Sequence, residues 1–250
     1  MTCAIMQPTY LPWMGYFALM CEADCFILLN DVQFSKGSWQ QRNHIRTDKG
    51  LEWLSVSVIT KGRYSQQIDE AELDESSKFV KKHLGTVANH YRSAGSFDAV
   101  YPMFEEALTA GEASGLLCEL NVTLIHWLRA QLGEDDARVL TSSELGVSGQ
   151  RSERLINICE AVGADVYVSP PGSVDYLVDD AALFERAGID VQMFQYEHPE
   201  YRQCYEPFIP YASTLDLVLN EGARSRDVVD SGRREPVSLA DYVTSREPAV

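Results

Sequence analysis

Cys3-Ala-Ile-Met-Gln-Pro-Thr-Tyr-Leu-Pro-Trp-Met-Gly-Tyr-Phe-Ala-Leu-Met-Cys-Glu-Ala-Asp-Cys-Phe-Ile-Leu-Leu-Asn-Asp-Val-Gln-Phe34 is the stretch around which the chain is organised. The apolar run Cys3 to Met6 is cut by Gln7-Pro8, and because Pro cannot donate to a sheet ladder, a strand should end there. Trp13, Tyr16, Phe17 and Met20 then recur at spacings of three and four, one face of a helix. A second apolar run, Cys25 to Leu29, stops at Asn30-Asp31. Strand, tight loop, helix and strand predict a βαβ unit, a right-handed crossover in a parallel sheet. Such a unit delivers Gln7, Thr9, Tyr10, Asp31 and Gln33 to the carboxyl edge of the sheet, where open α/β sheets bind ligands.

The rest of the composition suits that reading. At 250 residues, 45% hydrophobic and 10% aromatic, the chain can bury a large core and is most simply one domain. A formal net charge of −16 argues against a nucleic-acid or anionic-membrane partner, since either surface repels it. No apolar stretch approaches the roughly 20 residues that span a bilayer. The start lacks the blocks of a signal peptide, so the expectation is a cytoplasmic protein. The six cysteines form no CxxC pair and no metal-ligand spacing, and read as buried thiols.

Downstream, residues 31–46 have no clear period and read as a long binding loop that gathers Lys36, Arg42, Asn43 and His44 among aromatics. Trp53 to Ile59 alternates and predicts a strand, whereas Gly62 to Ser76 reads as a loop or lid. From Lys78 the period changes. Val80, His83, Val87 and Tyr91 mark one helix face, Tyr101, Phe104 and Leu108 a short second helix, and Leu116 to Leu132 a third. Together they predict an all-helical insertion over about 78–132. The second half alternates again: strands at 138–141, 165–169 and 190–195, and helices at 151–162, 180–187 and 211–220. The segment 223–250 is charged and weakly periodic and reads as a C-terminal arm.

Each predicted parallel strand ends in polar residues, among them Ser142-Ser143 and Ser169. Backbone amides at the adjoining helix starts, and at Thr9, could hold phosphate oxygens. Surface solvation accounts equally well for Lys36, Arg42 and Lys61, and a core position for His83, Trp13 and Trp39. Against that stands the concentration of cations in a protein that otherwise repels anions.

Two resemblances follow. The loop Pro8-Thr9-Tyr10-Leu11-Pro12-Trp13-Met14-Gly15-Tyr16, with Gln33-Phe34 after the second strand, resembles the HIGH region of nucleotidylyltransferases such as pantothenate synthetase. That resemblance implies a Rossmann-like (HUP-like) parallel sheet and ATP with Mg²⁺, but Trp13 and Tyr16 stand where the histidines would be. A closer one covers most of the chain. Gln7-Pro8-Thr9-Tyr10-Leu11-Pro12-Trp13-Met14-Gly15-Tyr16-Phe17, Asp31-Val32-Gln33-Phe34 with Lys36, Trp39, Arg42 and Asn43, and Trp53-Leu54-Ser55-Val56 are similar to the signature of the WbqC-like family. So are Lys61-Gly62, Lys82-His83-Leu84 with Tyr91, and Ser213 through Asp216 and Asn220 to Gly222. The chain departs from the usual pattern at Gln41, Ser57, Pro170-Pro171 and its tail.

The family resemblance implies one α/β domain over 1–222 and an amide-forming transferase that moves an aminoacyl (glycyl-like) or acyl group onto an amine. The acceptor would be a small-molecule amine or amino sugar, nucleotide-linked or free. The donor would be an aminoacyl-adenylate, a carrier-protein thioester or an aminoacyl-tRNA, the last disfavoured by charge. Asp31, His83 and Gln33 are the catalytic candidates. Gln7, Thr9, Tyr10, Trp13, Lys36, Trp39, Arg42, Asn43, Lys61, Ser142, Ser143 and Ser169 are the binding candidates. No metal ligands are assigned. The alternatives are a non-catalytic nucleotide-sugar-binding scaffold and an altered nucleotidylyltransferase.

Overall fold

The computed structural model describes residues 1–133 and 136–246. Five strands, β1 (Thr2–Met6), β2 (Cys25–Leu28), β5 (Arg138–Thr141), β6 (Val166–Ser169) and β7 (Asp190–Tyr196), run parallel. A sixth, β8 (Arg233–Ser238), joins β7 antiparallel, and the sheet order is β5-β2-β1-β6-β7-β8. Cys3 pairs with Cys25 and Met6 with Leu28, as expected for a βαβ unit through α1 (Met14–Met20). The molecule is a Rossmann-like α/β fold.

Both faces of this sheet are covered, which is why its central strands read as unbroken apolar runs. Alternate residues still choose sides. Ala4, Phe26, Leu28, Val168 and Phe194 enter one core, packed against α1, α2 (Phe79–Tyr91), α3 (Phe97–Glu112) and α4 (Leu117–Gln131). Cys3, Ile5, Cys25, Ile27 and Met193 enter the other, beneath α6 (Arg151–Val162), α7 (Val174–Asp179) and α8 (Ala181–Arg186). The helix α6 ends where Gly163 takes φ 76° and donates its N–H to Cys159 O and Glu160 O, a left-handed C-cap that glycine adopts without steric cost.

The helical insertion is present as α2, α3 and α4, with the middle helix longer than its sequence suggested. Three expectations are corrected. Residues 31–46 are not all loop: β3 (Arg42–Thr47) pairs with β4 (Gly50–Ser55) in a separate antiparallel hairpin. The strand expected over 53–59 therefore starts earlier, and beyond Ser55 the chain leaves β3, Val58 bridging to Leu73 instead. The loop after Lys61 is docked, because Ile68 N–H donates to Val32 O and Phe34 N–H to Gln66 O.

The C-terminal segment is not an arm. After α9 (Thr214–Glu221) come α10 (Ser225–Ser231), β8 and α11 (Leu239–Arg246), with Val229 in one core and Val237, Leu239 and Tyr242 against the other. Its strand is too polar to read as one because β8 lies at the sheet margin. Residues 247–250, part of the expected arm, lie outside the described residues.

Candidate active site

Strand order reverses between β1, whose next partner in sequence is β2, and β6 on its other side. At such a switch point the connections leave in opposite directions and open a crevice at the carboxyl ends. Here the crevice has three adjoining compartments of about 1020, 360 and 280 Å³. Leu29, Leu155 and Tyr176 are shared by the first and second, and Met6, Thr9 and Trp39 by the second and third.

The large compartment is built around Asp31, released at the tip of β2. Its carboxylate is ion-paired with Arg154 of α6 and accepts the Ser142 hydroxyl from α5 (Ser142–Leu145). Ser142 accepts in turn from Asn30 N–H, and the Asn30 amide donates to Ser143 Oγ at 2.9 Å while accepting from Ser143 N–H. The hydroxyls expected to clasp phosphate therefore fix the Asp31 loop, and Ser142 is fully buried. Gln33, Gln67, Gln150 and Arg151 complete the walls, and Gln33 Nε2 donates to Tyr64 O at 3.1 Å. Arg151, with φ 51°, is exposed and makes no side-chain hydrogen bond or ion pair among the described residues.

The middle compartment lies over the switch point itself, lined by Gln7 and Thr9 from β1's tip and Gly172 and Ser173 after β6. Gln40 Nε2 donates to Gln7 Oε1 at 2.8 Å and presents that side chain to the crevice. Asn121 of α4 donates to both Pro8 O and Gln40 O, tying the two loops together from beneath. Ser169 is buried, hydrogen-bonded to Ser173, and supports this wall without facing a ligand.

Tyr10 and His83 lie outside the crevice, and Asn43 reaches its wall with a side chain already engaged. Tyr10 is wholly buried and its hydroxyl donates to His83 Nδ1 at 2.8 Å, while His83 Nε2 donates to Ser55 O at 3.2 Å. Burial, the larger cause, and the Lys82 charge lower the His83 pKa to about 4. A neutral imidazole with both nitrogens engaged in the core is no base for a substrate. Asn43, also buried, gives both amide hydrogens to Tyr10 O and Leu11 O, and its oxygen accepts His44 N–H. Leu11 is held at φ 44°, a conformation most non-glycine residues avoid. These groups preorganise the first loop.

The third compartment is aromatic. Trp13, Tyr16, Trp39 and Tyr211 line it with Met6, Thr9 and Asn43. Trp13 is braced by Tyr196 and Tyr211, each 5.7 Å centroid to centroid, and stacked at 6.1 Å on His198. Trp39 lies between this compartment and an outer cluster on the hairpin, where His44 packs 3.6 Å from Trp53 and Arg42 sits 4.0 Å above the same ring. Arg42, Lys36 and Lys61 lie outside the three compartments, so the expected basic pocket is not where those residues are. The cations at the crevice are Arg151 and Arg154.

Those arginines, together with Tyr176 and Tyr211, escaped the sequence reading. Arg151 opens a helix immediately after Gly149-Gln150, at the end of the connection that leaves β5, and Arg154 is one turn further along the same face. A rule that takes the first turn of the helix after each strand, not only the strand tip, finds both. Among the described residues no three or more His, Cys, Asp or Glu side chains converge in one place. A separate apolar groove of about 830 Å³ lies at the opposite end of the sheet, between α8 and α11, and holds none of the groups above.

A Rossmann-like sheet with an insertion of three helices and a crevice at its switch point defines the class as an α/β fold. The chain belongs to the WbqC-like protein family, which it matches over residues 7–228. It is 34% identical over 229 residues to "Uncharacterized protein Rv1507c" of Mycobacterium tuberculosis (strain ATCC 25618 / H37Rv), an alignment covering 90% of this chain and 95% of that protein. No solved structure matches it. Among the described residues no helix is long and apolar enough to cross a membrane.

Proposed function

We propose that the chain is an amide-forming transferase that moves an acyl or aminoacyl group from an activated donor onto the amine of a sugar or small metabolite. The observation that carries this reading is Asp31, the one carboxylate among the described lining residues, held by Arg154 and Ser142 at the mouth of the largest compartment. The amine nitrogen attacks the acyl carbonyl, the bond to the donor's phosphate or thiol breaks, and the amine proton passes to Asp31 and on to solvent. A positioned base of this kind contributes roughly 10²–10⁴-fold. Arg151 and Arg154 stand where an anionic leaving group would be met. His83 has no part in this scheme, and Trp13 and Tyr16 in place of cationic histidines remove the support for adenylation chemistry.

The test is amide formation followed by mass spectrometry, with acyl thioesters and aminoacyl-adenylates offered against a panel of amines. Wild-type protein should form product. Asp31→Asn should lose roughly 10²-fold or more in rate while retaining its circular dichroism spectrum. The same crevice would also suit a protein that only binds a nucleotide sugar. In that case no donor gives product, and Asp31→Asn changes affinity alone.

A further inference from the structure

We propose that the aromatic compartment is a specificity pocket for one uncharged ring carried by the acyl group of the donor. This assignment of substrate class rests on the acyl-transfer reading, but the pocket's affinity for a ring does not.

Size sets the first limit. A cavity of roughly 150 Å³ holds benzene, so about 280 Å³ accommodates a ring with its first linking atoms. The walls set the second. Trp13, Trp39, Tyr16 and Tyr211 offer ring faces and edges, and offset or edge-on aromatic contacts favour another ring beyond simple burial. Third, two of the polar side chains of the wall are already engaged. Asn43 is bonded to Tyr10, Leu11 and His44, and the Tyr16 hydroxyl donates to Gln7 O at 3.2 Å. Among the described residues no carboxylate, Lys or Arg lines the compartment, so no ion pair awaits a charged group brought into it.

The compartment is also held ready. The ring of Trp13 lies directly on Gly15, where an added Cβ would come within 2.1 Å of it, so only glycine lets the indole take this place. Meanwhile Trp39 and Tyr211 are 51% and 57% exposed at the rim. Large aromatic surface left open beside a preformed apolar cavity gains from occupation. A glycyl group would leave it empty. The donor's acyl group is therefore bulkier than glycyl and reaches the pocket from the switch point past Met6 and Thr9.

The experiment titrates the protein with N-acetylphenylalaninamide, N-acetylglycinamide and benzyltrimethylammonium, followed by tryptophan fluorescence and saturation-transfer NMR. The phenylalanine amide should bind at least about tenfold more tightly than the other two. Tyr211→Ala and Trp39→Ala, both rim substitutions, should each erase most of that preference, and Gly15→Ala should remove it by displacing Trp13. If Gly15→Ala does not fold, the rim variants decide. Equal affinity for the two amides overturns the proposal, as does tighter binding of the ammonium, which would make the compartment a cation cage. Ring binding without any amide formation overturns the reaction and leaves the pocket. Amide formation with no preference for phenylalanyl over glycyl thioesters overturns the pocket and leaves the reaction.

Discussion

Protonating His83 in the folded protein means charging a ring that already receives the Tyr10 hydroxyl at Nδ1. Its pKa is lowered to about 4, while in the unfolded chain it should sit near 6.5. The unfolded state thus binds the proton first, so the neutral ring's contribution is fully present above about pH 6.5 and is lost as pH falls towards about 4. The loss is on the order of 3 kcal/mol. Urea midpoints measured at pH 7 and pH 4.5 should differ accordingly, and His83→Gln should flatten that difference. The same variant should keep its transfer rate, losing none of the roughly 10²–10⁴-fold that removing a general base costs. Spacing on an apolar helix face points to a core histidine. The family pattern points to catalysis instead, and the geometry places the ring in the core. Asp31 was legible because a strand tip locates it without tertiary information, whereas Arg154 reaches it across 123 residues of sequence.

The β3–β4 hairpin shows what binds elements together away from the main sheet. Asp216, wholly buried in α9, accepts hydrogen bonds from Tyr91 of α2 at 2.6 Å, from Tyr201 at 2.5 Å and from Gln203 at 3.0 Å. Tyr91 Oη accepts Arg46 N–H from β3, so insertion, hairpin and last core helix meet at one carboxyl group. Burial raises the Asp216 pKa, with the three donors opposing that shift. Asp216→Ala leaves the buried Tyr91 and Tyr201 hydroxyls without their acceptor and takes one acceptor from the Gln203 amide, which keeps Ile209 O, and should cost about 3 kcal/mol. A urea titration reads it, and Asp216→Ser on the same background should recover little, because a hydroxyl cannot accept three bonds at that reach. Of these elements, the helices were visible from their period. The hairpin was hidden because Arg42, Asn43 and His44 are polar on both sides. Its tight turn rests on Thr47 and Gly50, the glycine at φ 117°, and not on an apolar alternation.

At the scale of the whole molecule, the sheet closes on a strand the sequence did not announce. Periodicity recovers the parallel strands because both of their faces are buried, and misses β8 because Arg233, Arg234 and Glu235 answer to solvent and to ion pairs with Glu22, Asp230 and Glu197. That same polarity has a consequence for life in a concentrated solution. The β7 strand is long and mostly apolar, and an unpaired row of amides and carbonyls along it would be a template for a second molecule. What caps it is a strand carrying two arginines, a glutamate and Pro236, a residue that cannot extend a ladder. At the far margin, β5 is only four residues long. Removing residues 232–250 should leave the crevice walls in place yet make the protein self-associate with rising concentration more than the full chain does, as size-exclusion chromatography with light scattering would show. Restoring β8 with Arg233 and Arg234 changed to Val should give the intermediate case, a covered but inviting edge. In this fold the last strand acts less as a beam than as a guard against misassembly.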